Sequence, residues 1–206
     1  MNTLEAILNR KSIRKYKEKS VDHDDLLKIL ECGLNAPSAN NMQNWHFVVI
    51  ESKEKIKAIA DIVRQKQEKL IENTNEKELA KSFQSKSRFY TLFEKAPVLV
   101  LVYASSYTSK TSKLLSGDDL EKYEKTNPGL QNIGATIENI LLGATALGYG
   151  TCWMTGPNFA INEIEAYVSL SKENYSLMAI TPIGHPSDEK HPSPRKKGIQ
   201  EKVTFI

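Results

Sequence analysis

Apolar positions along the chain fall into two patterns, one repeating every three to four residues and one nearly continuous over short runs. Leu4, Ile7 and Leu8 share a face behind Asn2, and Glu5 completes a capping box, which predicts a short opening helix. Asp22 caps a second helix with Leu26, Leu27, Ile29, Leu30 and Leu34 as its inner stripe. That helix stops near Ala36, because Pro37 disfavours the α conformation in the residue before it. Trp45 to Ile50 predicts a strand, and Ser52 starts a long charged helical stretch with Ile56, Ile59 and Val63 at helical spacing. Residues 64–90 continue polar and helical, with no break that the pattern can place.

Pro97 to Tyr103 is almost wholly apolar and reads as a strand buried on both faces. Residues 105–127 are rich in Ser, Lys, Thr and Asp with little periodicity, so they are expected to form a long loop, a length usually tied to function or mobility. Pro128 to Leu147 is the most apolar helix candidate, striped by Ile133, Ile137, Ile140, Leu141 and Ala144. Gly148-Tyr149-Gly150 ends it, and Thr151 to Met154 predicts a short strand. Asn158 opens a further helix with Ile161, Ile164 and Val168 inward, and Leu177 to Ile183 predicts a fourth strand. Helices alternating with four strands give an α/β or α+β class around one sheet, and 206 residues fit a single domain, 1–206.

Composition narrows the function. With 28 Lys and Arg against 25 Asp and Glu, the net charge of +3 argues against a dedicated nucleic-acid binder. The longest apolar run, Ala96 to Ala104, is too short to span a membrane as a helix. The first ten residues carry no export pattern, so a cytoplasmic location is expected, with Cys32 and Cys152 as reduced thiols. No metal-ligand spacing, hydrolytic triad, P-loop or Gly-x-Gly-x-x-Gly is present.

Four stretches could carry chemistry. Arg10, Ser12 and Arg14 alternate, so an extended segment would point all three the same way and suit a phosphate; alone, they read as a solvated basic cluster beside a helix end. Pro194-Arg195-Lys196-Lys197 is a second basic run, or an exposed tail. Ala36 to Trp45 is a loop of Ser, Asn and Gln that could meet a heteroaromatic edge, or ordinary turn chemistry before a strand. Gly148 to Pro157 could let a flat ligand approach the backbone, or mark a plain helix stop.

Taken together, these stretches resemble the FMN-dependent nitroreductase family. The resemblance rests on Arg10-Lys11-Ser12-Ile13-Arg14, Ala36-Pro37-Ser38-Ala39-Asn40-Asn41-Met42-Gln43-Asn44-Trp45, the helix ending Ala146-Leu147-Gly148-Tyr149-Gly150, Thr155-Gly156, Gly184-His185-Pro186 and Pro194-Arg195-Lys196-Lys197, in that order. It implies an α+β fold, a three-layer α-β-α sandwich with a mixed, mainly antiparallel sheet, in an intertwined homodimer with an FMN at each of two interface sites. Arg10 and Ser12, joined by Arg195 and Lys197, would hold the phosphate and ribityl end, and Arg14 would lie near flavin N1 and O2. Pro37, Ser38, Ala39 and Asn41 would come from the other subunit, and Thr155 and Gly156 would face N5. A fixed guanidinium near N1 favours the reduced, negatively charged flavin.

The implied reaction passes hydride from NAD(P)H through flavin N5 to an electron-poor acceptor such as a nitroaromatic or quinone. Other readings stay open: a flavin-binding protein of low turnover, a dehydrogenation, an ene reduction, a reductive dehalogenation, or a basic-patch nucleic-acid binder. The chain departs from the family pattern at Asn44, where proline is common, at Ala39, where a second serine is common, and at Gly198. No side chain in 64–95 matches the usual flavin pyrimidine contacts beyond a guess at Arg88, and residues 105–127 are a candidate mobile cover over the flavin.

Overall fold

The computed structural model describes residues 1–187 and 198–206. Its elements run α1 (Thr3–Asn9), α2 (His23–Leu34), β1 (Trp45–Ile50), α3 (Lys53–Glu72), α4 (Lys77–Ser85), α5 (Ser87–Tyr90), β2 (Val98–Ser105), α6 (Gly117–Thr126), α7 (Pro128–Ala146), β3 (Gly150–Thr151), α8 (Ile161–Val168) and β4 (Tyr175–Gly184). The helix starts follow from the side chains that cap them. Asn2 and Glu5 form the reciprocal capping box, Asp22 accepts from Asp25 N–H, and Ser52 accepts from Lys55 N–H. Asn127, itself left-handed at φ 35°, accepts from Leu130 N–H, with Pro128 at the first helical position.

The strands form one sheet in the order β1-β2-β4-β3, with every neighbouring pair antiparallel. The sheet's alternation divides the core in two. Val98, Val100 and Val102 of β2 face α2 and α7, meeting Leu26, Ile29, Ile137 and Ile140. Leu99, Leu101 and Tyr103 face the other way onto Ile56, Ile59 and Val63 of α3 and Ile164 of α8. The expected three-layer sandwich is therefore present, with β2 covered on both faces. Among the described residues, a bridge between Ser12 and Thr151 adds a parallel pairing.

Three expectations change. Residues 105–127 are not a plain loop: a 3-10 turn spans Thr111–Leu114 and α6 follows it, tied down by Tyr123 Oη donating to Ser109 Oγ at 2.7 Å. Four-residue spacing of Asp118 with Lys122 and Glu121 with Lys125 supplies ion pairs along α6 in place of an apolar stripe, which is why hydrophobic periodicity missed it. The Thr151–Met154 strand shortens to Gly150–Thr151, and Met154 joins β4 through a single bridge to Ile180. Asn158 does not cap α8; it lies inside a 3-10 turn, Gly156–Ala160, and α8 starts at Ile161.

Helical stripes also split by environment. Leu26 and Ile29 are buried, whereas Leu27 and Leu34 are about half exposed. On α1 only Ala6 is buried, and Leu4 and Leu8 stand 72% and 74% exposed, so the apolar face foreseen there is left uncovered by the described residues.

Candidate functional site

The basic segment after α1 is held as an added edge beside the sheet. Ile13 N–H donates to Thr151 O at 2.8 Å, Lys17 N–H donates to His185 O at 2.9 Å, and Ser187 N–H donates to Lys15 O at 3.0 Å. Ile13 turns into the core and lies against Gly150, where an added Cβ would sit 2.7 Å from three Ile13 carbons. Alternation then sends the flanking side chains the other way. Arg14, Ser12 and Arg10 all act electrostatically on the Cys152 thiol. Burial pushes the Cys152 thiol up, and these three neighbours oppose it in part. Arg10 also pairs with Glu138 of α7 at 3.0 Å.

Beyond Cys152 the chain runs to Thr155 and Gly156, and two interactions set this turn. Met154 exchanges both backbone hydrogen bonds with Ile180, at 3.0 and 2.9 Å. One residue further along, β4 bulges: Val102 faces Ala179 and Tyr103 faces Leu177, leaving Met178 unmatched. Asn158 Nδ2 donates to the Met178 carbonyl at 2.8 Å, so the bulge anchors the turn that carries Gly156. Gly156 sits under Tyr90, with an added Cβ 3.0 Å from that ring.

Arg14 and Tyr16 form one wall of a cavity of about 780 Å³, whose other walls come from α3, α4, α5 and the turn over residues 91–95 that follows them. Burial holds the Tyr16 hydroxyl well above its usual pKa, and the hydroxyl donates to Ile13 O at 2.8 Å. Arg88, a guess from sequence, does line this cavity, and so do Arg64 and Gln67. Gln67 was missed, although a signal existed. It continues the buried stripe Ile56, Ile59, Ala60, Val63, so a polar residue stands where an apolar one is expected.

The loop with Pro37, Ser38, Ala39 and Asn41 is built from long-range amide contacts. Asn132 of α7 accepts from Ala39 N–H at 2.9 Å and donates to Asn44 Oδ1 at 2.9 Å; Asn44 Nδ2 donates to Ser105 O at 3.1 Å. Asn44, which stands where the family often has proline, is therefore a buried link between loop, sheet and helix. Ser38 Oγ accepts from Gln43 N–H at 3.0 Å. Asn40, Asn41 and Gln43 all take positive φ, at 55°, 52° and 44°, a concentration of left-handed residues that the surrounding bonds must hold. Among the described residues, no hydrogen bond or ion pair joins this loop to Arg10, Ser12 or Arg14. Arg195 and Lys197 lie outside the described residues.

Residues 7–185 match the model of the nitroreductase family. The chain belongs to that family. As a member it is an FMN-dependent oxidoreductase with NAD(P)H as electron donor. A crystal structure of a BluB-like flavoprotein from Clostridium difficile 630 superposes with a TM-score of 0.92 at 37% identity, covering 100% of this chain and 99% of that one. An Archaeoglobus fulgidus protein with the provisional name NADH dehydrogenase/NAD(P)H nitroreductase is 28% identical over 189 residues, 91% of this chain and 87% of that one. Iodotyrosine deiodinase of Thermotoga neapolitana is 28% identical over 200 residues, 95% of each chain. Solved structures sharing this fold hold FMN.

The residues present fit that cofactor. A phosphate needs several cationic or hydroxyl donors, a chemistry that Arg10 and Ser12 offer, and a flat ring needs a cavity, one of which opens at Arg14 on the same segment. Among the described residues no His, Cys, Asp and Glu group suits a metal ion, and no helix is long and apolar enough to cross a membrane.

Proposed function

We propose that this chain works as a cytoplasmic homodimer that reduces an electron-poor acceptor, a nitroaromatic or a quinone, with electrons from NAD(P)H. The observation that supports the reading is that Arg10, Ser12 and Arg14, on a fixed edge segment, all act on the Cys152 thiol, while Arg14 also borders a cavity able to take a ring system. Bound FMN supplies the redox chemistry, accepting hydride and passing electrons on. The chain's own residues bind, orient and tune it.

In this reading Arg10 and Ser12, with Arg195 and Lys197, grip the phosphate through charge-assisted hydrogen bonds. Arg14 stays close to the pyrimidine edge, where a fixed positive charge lowers the free energy of the reduced form. The Thr155–Gly156 backbone, steadied by Asn158, presents its N–H at the N5 side. Pro37, Ser38, Ala39 and Asn41 serve the partner's site, which accords with their separation from Arg10 in hydrogen bonding within one chain. The exposed α1 face of Leu4 and Leu8 supports a subunit contact.

The similarity to iodotyrosine deiodinase favours a second reading, reductive removal of halide from an aromatic amino acid. One experiment separates the two. Purified protein, yellow with bound flavin, is bleached by NADPH or NADH under nitrogen and then offered single acceptors. Rapid reoxidation by nitroaromatics or quinones supports the first reading, and reoxidation by 3-iodotyrosine with iodide release supports the second. Protein that binds no FMN, or whose flavin neither NADPH nor NADH bleaches, defeats both.

A further inference from the structure

Only the nicotinamide end of the electron donor reacts; the rest is an elongated anion, and the chain has no Gly-x-Gly-x-x-Gly turn to hold its phosphates. A second groove, of about 740 Å³, adjoins the Arg14 cavity: Tyr16, Glu94 and Lys95 line both. Its floor is apolar, formed by Pro97 beside the buried Val21, Ala96 and Val98. Its rim is cationic, with Lys17, Lys19, Lys53, Lys57 and Lys95. Backbone bonds hold that rim. Lys17 N–H donates to His185 O at 2.9 Å and Lys19 N–H donates to Lys17 O at 2.8 Å, while Lys53 and Lys57 stand one turn apart on α3. The ridge between the cavities is fixed as well: Tyr16 and Pro97 meet over Gly184, where an added Cβ would lie 2.9 Å from the ring and 2.6 Å from the proline. Lys57 pairs with Asp61, whereas among the described residues Lys19, Lys53 and Lys95 enter no ion pair or side-chain hydrogen bond.

We propose that this groove takes the adenosine end of the electron donor and reads its 2′-phosphate, so that the enzyme prefers NADPH to NADH; this rests on the reading that seats the flavin, and with it the nicotinamide, in the Arg14 cavity. The purine lies on the Pro97 floor, the diphosphate crosses the Tyr16 ridge beside Lys95, and the 2′-phosphate meets Lys19 and Lys53. Charge favours the phosphate over the bare ribose. A carboxylate suits a ribose 2′-hydroxyl, and a cation suits a 2′-phosphate. Glu18, Glu51 and Glu94 also line the groove, but Glu94 is engaged by Arg64, and five lysines outnumber three glutamates. A phosphate dianion uses that surplus of positive charge; an uncharged hydroxyl does not.

The test uses holoprotein and two fragments of the donor, adenosine 2′,5′-bisphosphate and AMP, with binding read by titration calorimetry. Wild type is expected to bind the bisphosphate about tenfold or more tightly than AMP. Lys19→Ala combined with Lys53→Ala should remove most of that discrimination. In the same double variant the KM for NADPH should rise about three- to tenfold more than the KM for NADH. Both lysines are exposed, so the variant keeps its fold. Equal binding of the two fragments by wild type, discrimination that survives the double substitution, or KM values for NADPH and NADH that move together overturns the assignment. Protein that retains no FMN sinks the flavin reading instead, and the fragment titration on that protein still decides whether the groove binds the 2′-phosphate.

Discussion

Arg10 Nε lies 3.0 Å from Glu138 Oε1, so the guanidinium proposed to hold the phosphate is shared with a carboxylate of α7. Both side chains are partly exposed, at 27% and 41%, and a pair of that kind is worth at most about 1 kcal/mol to folding. Its larger effect is on the field that a phosphate meets. Glu138 offsets part of the positive charge Arg10 offers, so Glu138→Gln should tighten FMN binding roughly two- to fivefold at low salt. The gain should shrink as salt screens it. Fluorescence titration at two ionic strengths checks this, and an affinity indifferent to the substitution would remove Arg10 from the phosphate site.

Asn132 is the hub of the loop that carries Pro37 to Asn44. Replacing it with Leu leaves the part-buried Ala39 N–H and the buried Asn44 Oδ1 without partners, at about 1–3 kcal/mol each. Asn132→Leu should therefore lose about 2–4 kcal/mol in urea denaturation. Because Asn40, Asn41 and Gln43 are held at positive φ by the same neighbourhood, the loop should also loosen, and FMN retention should fall although Asn132 itself lies under the loop. A stable variant with wild-type flavin affinity would show that the loop takes no part in the site.

What could be read directly from the chain was local. The capping box at Asn2, the Asp22 and Ser52 caps, the continuous β2 and the stripe of α7 all follow from spacings within a few turns, and all appear in the structure. The alternation of Arg10, Ser12 and Arg14 was equally local, and a bridge from Ser12 to Thr151 fixes that segment beside the sheet. What escaped depended on partners far along the chain. The Asn44–Asn132 contact spans 88 residues, and the extra residue Met178 shows only when β4 is set against β2. Leu4, Leu8, Leu27 and Leu34 satisfied the helical pattern yet stand exposed, since periodicity reports an apolar face without saying what covers it.

Gly150 fixes how closely the Arg10–Arg14 segment can approach the sheet. With Ile13 carbons at 2.7 Å from any added Cβ, Gly150→Ala must displace Ile13 and, with it, Ser12. Overpacking of this type costs about 1–3 kcal/mol, visible as a lower Tm. FMN affinity should drop in parallel, because the hydroxyl and the two guanidiniums ride on the same backbone. Adding Ile13→Ala should return part of the affinity by making room, a positive coupling that independent sites would not show. Loss of stability with flavin binding untouched would separate this edge from the cofactor.

Cys152 reports on the same cluster without any cofactor. Burial raises its thiol pKa, and Arg14, Ser12 and Arg10 pull it back down. The protonated thiol is favoured in the folded state, so this group's contribution is intact below the thiol pKa of the unfolded chain. It is lost as pH rises from that value through the higher folded one. Thiol alkylation of apoprotein should accordingly climb with pH along a curve displaced above that of a free cysteine, since only the thiolate reacts. Arg14→Ala removes the leading opposing charge and should displace the curve further upward. Bound FMN should slow alkylation of Cys152 in the wild type. A curve that Arg14→Ala leaves in place, with no protection by FMN, would mean that Arg14 does not stand over the thiol and that the flavin lies elsewhere.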